Sequence, residues 1–444
     1  MTAPGEPVCA LATPPGHGAV AVVRVTGLGC LRLLDPAFRP GKPSRQPAGT
    51  ARVGWFLGPD REELDRVVLT VFRAPNSYTG EDLAEISCHG GSEPARAILR
   101  RLGELGFRPA GPGEFTRRAV ENGKMTLSQA EGTRALIEAD SPAAARNALR
   151  QYRGDLSDRI EELAEELRTL VATSEHHLAM DEGDAPRPAG LRRASRGIVG
   201  RLDRLIRRGR RTRLLHEGAY LPIIGRPNVG KSSIFNRLLE RERSVVNPVS
   251  GTTRDRVEAK LVLADVPTTV ADTSGITARP RTPLARAAVR QTLEAVRRAD
   301  LVVAVFDGSR SDTAADARVL AETGDRPVIC VINKTDRPRR LSARFLNGHR
   351  RVELSALRDP DFGRLRREIA RRLRVRNPSP ASGTRHLEAL ESCRDALRRS
   401  LDAPDADRAS FELRAALDAL AGIDELTSDR DILDRVFSRF CVGK

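Results

Sequence analysis

A chain of 444 residues, 40% of them apolar, is long enough for two to four domains with a core in each. Its 75 Lys and Arg against 59 Asp and Glu leave a formal charge of +16, which predicts a surface that attracts polyanions. The longest apolar run, LVVAVF at 301–306, suits a buried strand and falls far short of the roughly 18 residues that cross a bilayer, so a membrane protein is excluded, as are collagen, disorder and a disulfide scaffold.

The N-terminal MTAPGE has no basic start followed by an apolar stretch, so no secretory signal is expected. Cysteines 9, 30, 88, 330, 393 and 441 include no C-x-x-C pair and read as free thiols in a reducing cytoplasm. Only six residues are Lys (42, 124, 231, 260, 334 and 444). In so Arg-rich a chain, a retained Lys is either chance or a place that needs a compact ammonium.

Residues 1–120 mix short β-type runs with turns. Residues 19–25 and 66–72 read as strands and 93–105 as a helix, giving an α+β domain. From 121 to 215 the pattern is helical, with Leu156, Ile160, Leu163, Leu167, Leu170 and Val171 at three- and four-residue steps. The segment DEGDAPRP at 181–188 interrupts it, and a second helix resumes at Leu191. Ten Arg and one Asp between 191 and 213 read as a solvated face, with contact to a phosphate backbone as the alternative. His176-His177 reads as a solvated helix position, since no acid or Cys cluster at metal spacing accompanies it. Between 216 and 376 strands at 220–224, 268–271, 301–306 and 328–332 alternate with helices, the pattern of a doubly wound parallel sheet. Residues 377–444 are helical again, with a last helix running into the terminus. The α/β domain thus interrupts a helical domain.

Gly225-Arg226-Pro227-Asn228-Val229-Gly230-Lys231-Ser232 fits G-x-x-x-x-G-K-[ST] between a strand and a helix that begins near Ser233. Glycines let backbone amides converge on phosphate oxygens, Lys231 reaches the terminal phosphates, and Ser232 ligates Mg²⁺. Asp272-Thr273-Ser274-Gly275 ends the next strand, where a carboxylate can hold the Mg²⁺ shell and a glycine can sense the γ-phosphate. Asn333-Lys334-Thr335-Asp336 ends a later one. Asp336 can accept from the ring N–H and the exocyclic amine of guanine, a pair that adenine lacks, while the Lys334 stem covers the base. Ser355-Ala356 can point an amide at the guanine carbonyl. Between the first two elements, Asn247 to Asp255 includes Gly251-Thr252-Thr253, and Thr253 can complete Mg²⁺ coordination when a γ-phosphate is present, so the loop reads as a switch. Four elements in order predict a guanine-nucleotide domain.

The chain resembles the MnmE (TrmE) family of tRNA-modification GTPases over its whole length. The resemblance is carried by Ala12-Thr13-Pro14-Pro15-Gly16, Pro75-Asn76-Ser77-Tyr78-Thr79-Gly80-Glu81-Asp82, Cys88-His89-Gly90-Gly91, Pro112-Gly113-Glu114-Phe115-Thr116, the stretch from Asn122 to Glu131, and the terminal Phe440-Cys441-Val442-Gly443-Lys444. It implies an N-terminal folate-binding and dimerisation domain, a helical domain and a Ras-like P-loop GTPase domain. It also implies a homodimer and a flavoprotein partner, MnmG (GidA), carrying FAD. With that partner the family installs a carboxymethylaminomethyl or aminomethyl group on C5 of the wobble uridine of certain tRNAs, using a tetrahydrofolate one-carbon unit. Family folate contacts fall on Arg24, Glu85, Lys124 and Lys444, and K⁺ positions on Asn228, Asn247, Val249 and Thr252. A K⁺ ion there supplies the charge that an arginine finger supplies elsewhere.

The chain departs from the family pattern at several points. The family's water-orienting Glu falls near Ala285, yet residues 276–293 hold no acid; Asp255 is a weak substitute. Ser274 replaces Ala, Leu357 replaces a Lys of the guanine loop, His17-Gly18-Ala19 replaces Arg-Gly-Gly, and 181–188 matches the family's Asp-Phe-Pro-Glu segment only loosely. Cys441 is a candidate nucleophile, with an inert thiol as the alternative. Three functions therefore remain in play: a hydrolysing K⁺-dependent GTPase, a nucleotide-gated scaffold with little turnover, and a ribosome-assembly GTPase that the basic charge alone supports.

Overall fold

The computed structural model describes residues 5–179, 189–240, 257–276, 282–311, 314–358, 362–424 and 430–444. The chain divides into two compact units, Met1–Arg134 with Arg150–Ile198 and Ser392–Lys444, and Ala135–Leu149 with Val199–Glu391.

The first unit holds a seven-stranded sheet of β1 (Val8–Leu11), β2 (Val20–Thr26), β3 (Phe38–Arg39), β4 (Thr50–Leu57), β5 (Glu63–Phe72), β6 (Leu83–His89) and β7 (Arg108–Pro109), in the order β3-β4-β5-β6-β2-β1-β7. The period of two is plain in β5, where Asp65, Val67, Leu69 and Val71 are buried and the residues between them are more exposed. The buried side packs on helix Ser92–Glu104 through Ala95, Ile98 and Leu102. Register in β2 and β6 sets Arg24 opposite Glu85. Helix Asp155–Ala179 buries Leu156, Ile160, Leu163, Leu167 and Leu170, and it packs against helix Ala406–Ala421.

The second unit is a six-stranded sheet of β8 (Ala219–Gly225), β9 (Val257–Leu263), β10 (Val266–Asp272), β11 (Val302–Asp307), β12 (Val328–Asn333) and β13 (Arg350–Glu353), in the order β13-β12-β11-β8-β10-β9. Every pairing is parallel except β9 with β10. In β11, Val303 and Val305 belong to one apolar cluster and Val302, Ala304 and Phe306 to another. Both faces of the strand are covered, which is why its sequence is an unbroken apolar run.

The fold class is the one expected: an α+β N-terminal sheet, helices, and a doubly wound α/β domain. Detail differs at the C-terminal side. The helical pattern of 377–444 begins as two helices, Thr384–Asp402 and Ala406–Ala421, parted at Pro404; the second is capped by Asp405, whose carboxylate accepts from the Arg408 amide at 2.7 Å. The last helix, Arg430–Phe437, stops short of the terminus. The residues after it turn back, and Val442 bridges Pro112 in the antiparallel sense.

Candidate functional site

The loop after β8 turns through Asn228 and Gly230, both at positive φ (63° and 101°), into helix Lys231–Leu239. Gly230 is required twice over, because a Cβ there would also strike Asn333 Nδ2. Among the described residues no side chain caps this helix, so its first amides are left for an anion. Lys231 is buried, and its ammonium donates to the Arg226 carbonyl at 3.1 Å. Burial pushes that ammonium below the ordinary lysine range, opposed by the charge of Asp272.

Asp272, at the end of β10, accepts from the Ser232 hydroxyl through Oδ2 at 2.5 Å. Its Oδ1 is buried with no hydrogen-bond partner among the described residues. A hydroxyl and a carboxylate oxygen converging beside an orphaned carboxylate oxygen is a donor set that suits a small hard cation, so Ser232 and Asp272 fit Mg²⁺. Thr273 donates to the Ile223 carbonyl at 2.8 Å. Ser274 follows, and Gly275 lies so close to the loop that a Cβ would come within 2.6 Å of the Pro227 nitrogen.

Asn333 ties the loops together: its Nδ2 donates to the Val229 carbonyl at 2.8 Å and its Oδ1 accepts from the Ala356 amide at 2.9 Å. Lys334, at φ 65°, donates from Nζ to the Asn228 carbonyl and to Asp307 Oδ2, each at 2.7 Å. Asp336 accepts from the Ser355 hydroxyl at 2.6 Å, which holds its carboxyl below the usual carboxylate range. The structure therefore brings Asn228 to Ser232, Asp272 to Gly275, Asn333, Lys334, Asp336, Ser355 and Ala356 into one constellation. Ser233 follows in the helix. Leu357 is 77% exposed beside it. Asp307 was not singled out in the sequence; the signal available was an acid closing an apolar strand. Burial pushes its carboxyl up, but Lys334 and Ser309 outweigh this and leave it below the usual range.

Ala285 lies in the first turn of helix Pro283–Arg298, where its amide donates to the N-cap Thr282 at 3.1 Å. The nearest following acid, Glu294, is an exposed residue on the same helix. Asn247, Val249, Thr252, Thr253, Asp255 and 181–188 lie outside the described residues.

In the other unit, Arg24 donates to Glu85 Oε1 at 2.8 and 3.1 Å and to the Gly443 carbonyl at 3.3 Å. Its guanidinium lies 5.5 Å from the Tyr78 ring and 5.7 Å from that of Phe115, two aromatics that were not assigned roles from the sequence. Lys444 shares this neighbourhood: burial, then Arg24, push its ammonium down, while Glu85 and Cys441 oppose. Cys441 is exposed, and its carbonyl accepts from the Gly113 amide. Lys124 is exposed and lies against Gly80, one loop away.

Comparison with known proteins agrees along the whole chain. The family model described as the GTP-binding protein TrmE N-terminus matches residues 7–124, and that of the MnmE helical domain matches 127–441. The tRNA modification GTPase MnmE of Thermus thermophilus is 38% identical over 99% of both chains. The chain belongs to the MnmE (TrmE) family of tRNA-modification GTPases. The MnmE of Moorella thermoacetica is 36% identical over 99% of both chains, and that of Aquifex aeolicus 35% over 99% of this chain and 100% of its own. Among solved structures, Aquifex aeolicus Era bound to GDP and AlF4⁻ aligns at 25% identity over 40% of this chain and 66% of that one, with a TM-score of 0.29, too low to bear on fold or function. Among the described residues no helix is long and apolar enough to cross a membrane, and no group of three or more His, Cys, Asp or Glu is placed to hold a metal ion.

Proposed function

We propose that this MnmE-family chain binds GTP with Mg²⁺ on Ser232 and Asp272, reads guanine with Asp336 and Ala356, and hydrolyses the nucleotide with K⁺ held through Asn228, Asn247, Val249 and Thr252. Thr253 completes the Mg²⁺ shell. The observation that carries this reading is the link through Asn333, which joins the phosphate loop at Val229 to the base-facing turn at Ala356. It sets triphosphate and base recognition in one frame. The hydrolysing domain occupies 216–376, between helical segments at 121–215 and 377–444.

The N-terminal domain, residues 1–120, pairs with a second copy. It holds a tetrahydrofolate derivative against Arg24, Glu85, Lys124 and Lys444. The Arg24 guanidinium beside the Tyr78 and Phe115 rings suits a ligand with a flat ring and an anionic tail. With a flavoprotein of the MnmG (GidA) kind carrying FAD, the chain installs a carboxymethylaminomethyl or aminomethyl group at C5 of the wobble uridine. Cys441, exposed beside this cluster, is available to that chemistry.

Ala285 favours a second reading. A methyl side chain stands where a water-orienting carboxylate is expected, which suits a nucleotide-gated scaffold with weak turnover. Hydrolysis in KCl and in NaCl at equal ionic strength, with ATP as control, separates the two. GTP-selective turnover stimulated by K⁺ supports the hydrolase; tight GTP binding without turnover in either salt supports the scaffold.

A further inference from the structure

Strand β13 ends the order of described strands in the second sheet, and its sequence, Arg350-Arg351-Val352-Glu353, is charged where the inner strands are apolar. Helix Gly363–Leu373 belongs to the same buried cluster, through Leu365, Ile369 and Leu373 with Val352. On that helix Arg364, Arg367 and Arg371 fall at i, i+3 and i+7, one stripe about 10 Å long. Strand and helix leave a groove of about 510 Å³, lined by that stripe, by Glu368 and by all four residues of β13, of which Glu353 is paired with Arg339 at 3.0 Å.

Glu368 is the organising group. Its side chain is only 6% exposed and takes Arg371 as a two-pronged partner at 2.6 and 3.0 Å, with Arg350 at 3.3 Å and Arg372 at 3.4 Å. The hydrogen bond from Arg371 holds the carboxyl below its usual range, so it stays ionised. One carboxylate cannot neutralise three guanidiniums, and the side chains of Arg350 and Arg371 remain 60% and 58% exposed. The Arg371 fork is turned onto the buried carboxylate, while the Arg350 side chain beside it stays largely in solvent and Arg364 and Arg367 line the same groove. Between residues 344 and 376 there are eleven Arg against four acids, far denser than the +16 spread over the whole chain.

We propose that this groove seats the phosphate backbone of RNA, an inference that rests on membership of a tRNA-modification family but not on GTP hydrolysis. The forks match phosphate geometry. Among the described residues no aromatic side chain lines the groove to stack on a base, so the contact positions an RNA and carries no sequence information. Pairing of β13 with another strand is disfavoured by its three charged residues in four.

The test is binding of an unmodified tRNA transcript to the full chain, measured across a salt series. The triple variant Arg350→Ala, Arg364→Ala, Arg367→Ala leaves Arg371 and Arg372 on Glu368. It should bind tRNA about tenfold or more weakly, with a log–log salt slope shallower by about 2 to 3. A charge-matched triple, Arg32→Ala, Arg96→Ala, Arg100→Ala, should stay near wild type. Unaltered GTP affinity in the groove variant shows an intact fold and separates the result from the nucleotide reading. If that variant also loses GTP affinity, the single exchange Arg364→Glu decides: a greater loss of tRNA affinity than with Arg364→Ala supports the groove, and equal affinities sink it. Equal losses in the two triples, no loss in the groove triple, or a wild-type chain that does not bind tRNA each overturn the proposal.

Discussion

The constellation around Lys231 and the cluster around Arg24 are built on opposite electrostatic plans. In the first, charge is left uncompensated: a buried ammonium rests on a backbone carbonyl and, among the described residues, a carboxylate oxygen of Asp272 is orphaned and a helix N-terminus has no cap. In the second, charges are closed on one another. Arg24 is taken by Glu85 and a backbone carbonyl, and nearby Glu114 accepts from Arg108 at 2.6 Å, Arg118 at 2.8 Å and the Gly111 amide at 2.8 Å. The difference teaches where each site's stability resides. The open plan becomes stable when a polyanion and its cation arrive; the closed plan is stable before any ligand does.

Lys231→Ala breaks the open plan most deeply. It should cost about 3 kcal/mol in GTP binding, on the order of a hundredfold in Kd by titration calorimetry, while the melting temperature of the empty protein holds or rises. On the closed plan, Glu114→Ala leaves two guanidiniums without their shared carboxylate. The expected loss is about 3 kcal/mol of N-terminal-domain stability, read as a lower unfolding midpoint. Burial pushes the Glu114 carboxyl up, but Arg108, Gly111 and Arg118 outweigh it and leave it below its ordinary value of 4.5. Its stabilisation is therefore complete above that value and is lost as pH falls through the lower, folded-state value. An acid titration should show the wild-type midpoint falling below about pH 4.5, and Glu114→Gln flattening that fall.

Smaller changes sharpen the contrast. Asp336→Asn should weaken GTP at least about tenfold and let a xanthine nucleotide compete, since an amide can donate where the carboxylate accepted. Asp307→Asn removes one holder of Lys334 and should cost GTP only a few-fold, about 1 kcal/mol. Least of all, Arg207→Glu with Arg208→Glu, on the exposed face of helix Ala189–His216, should leave the salt slope of tRNA binding unchanged; a shallower slope would assign that helix a phosphate contact as well.

Legibility in the sequence followed burial. The runs of β8, β11 and β12 are buried on both faces and read directly as strands. β13 was hidden because an edge strand of RRVE has no apolar signature and owes its place to one side of β12. The phosphate loop and its companions were legible as residues, because amide convergence and guanine recognition demand particular side chains at short spacing. What joins them was not: Asn333 reaching Val229, and Asp307 reaching Lys334, span 104 and 27 residues, distances that only folding closes. The terminal helix was read too long for a similar reason. Gly443, at φ 93°, approaches β1 so closely that a Cβ would lie 2.4 Å from the Leu11 carbonyl oxygen, a tertiary demand invisible to local periodicity.

That closing turn has a bearing on biosynthesis. Arg24 leaves the ribosome more than four hundred residues before the Gly443 carbonyl that it binds and the ammonium of Lys444. Translation must run that far before the Arg24 cluster acquires its last members. A nascent chain that stops just short of Gly443 carries a finished phosphate loop but an Arg24 cluster without these partners, so the order of synthesis itself withholds one cluster until the other has been made.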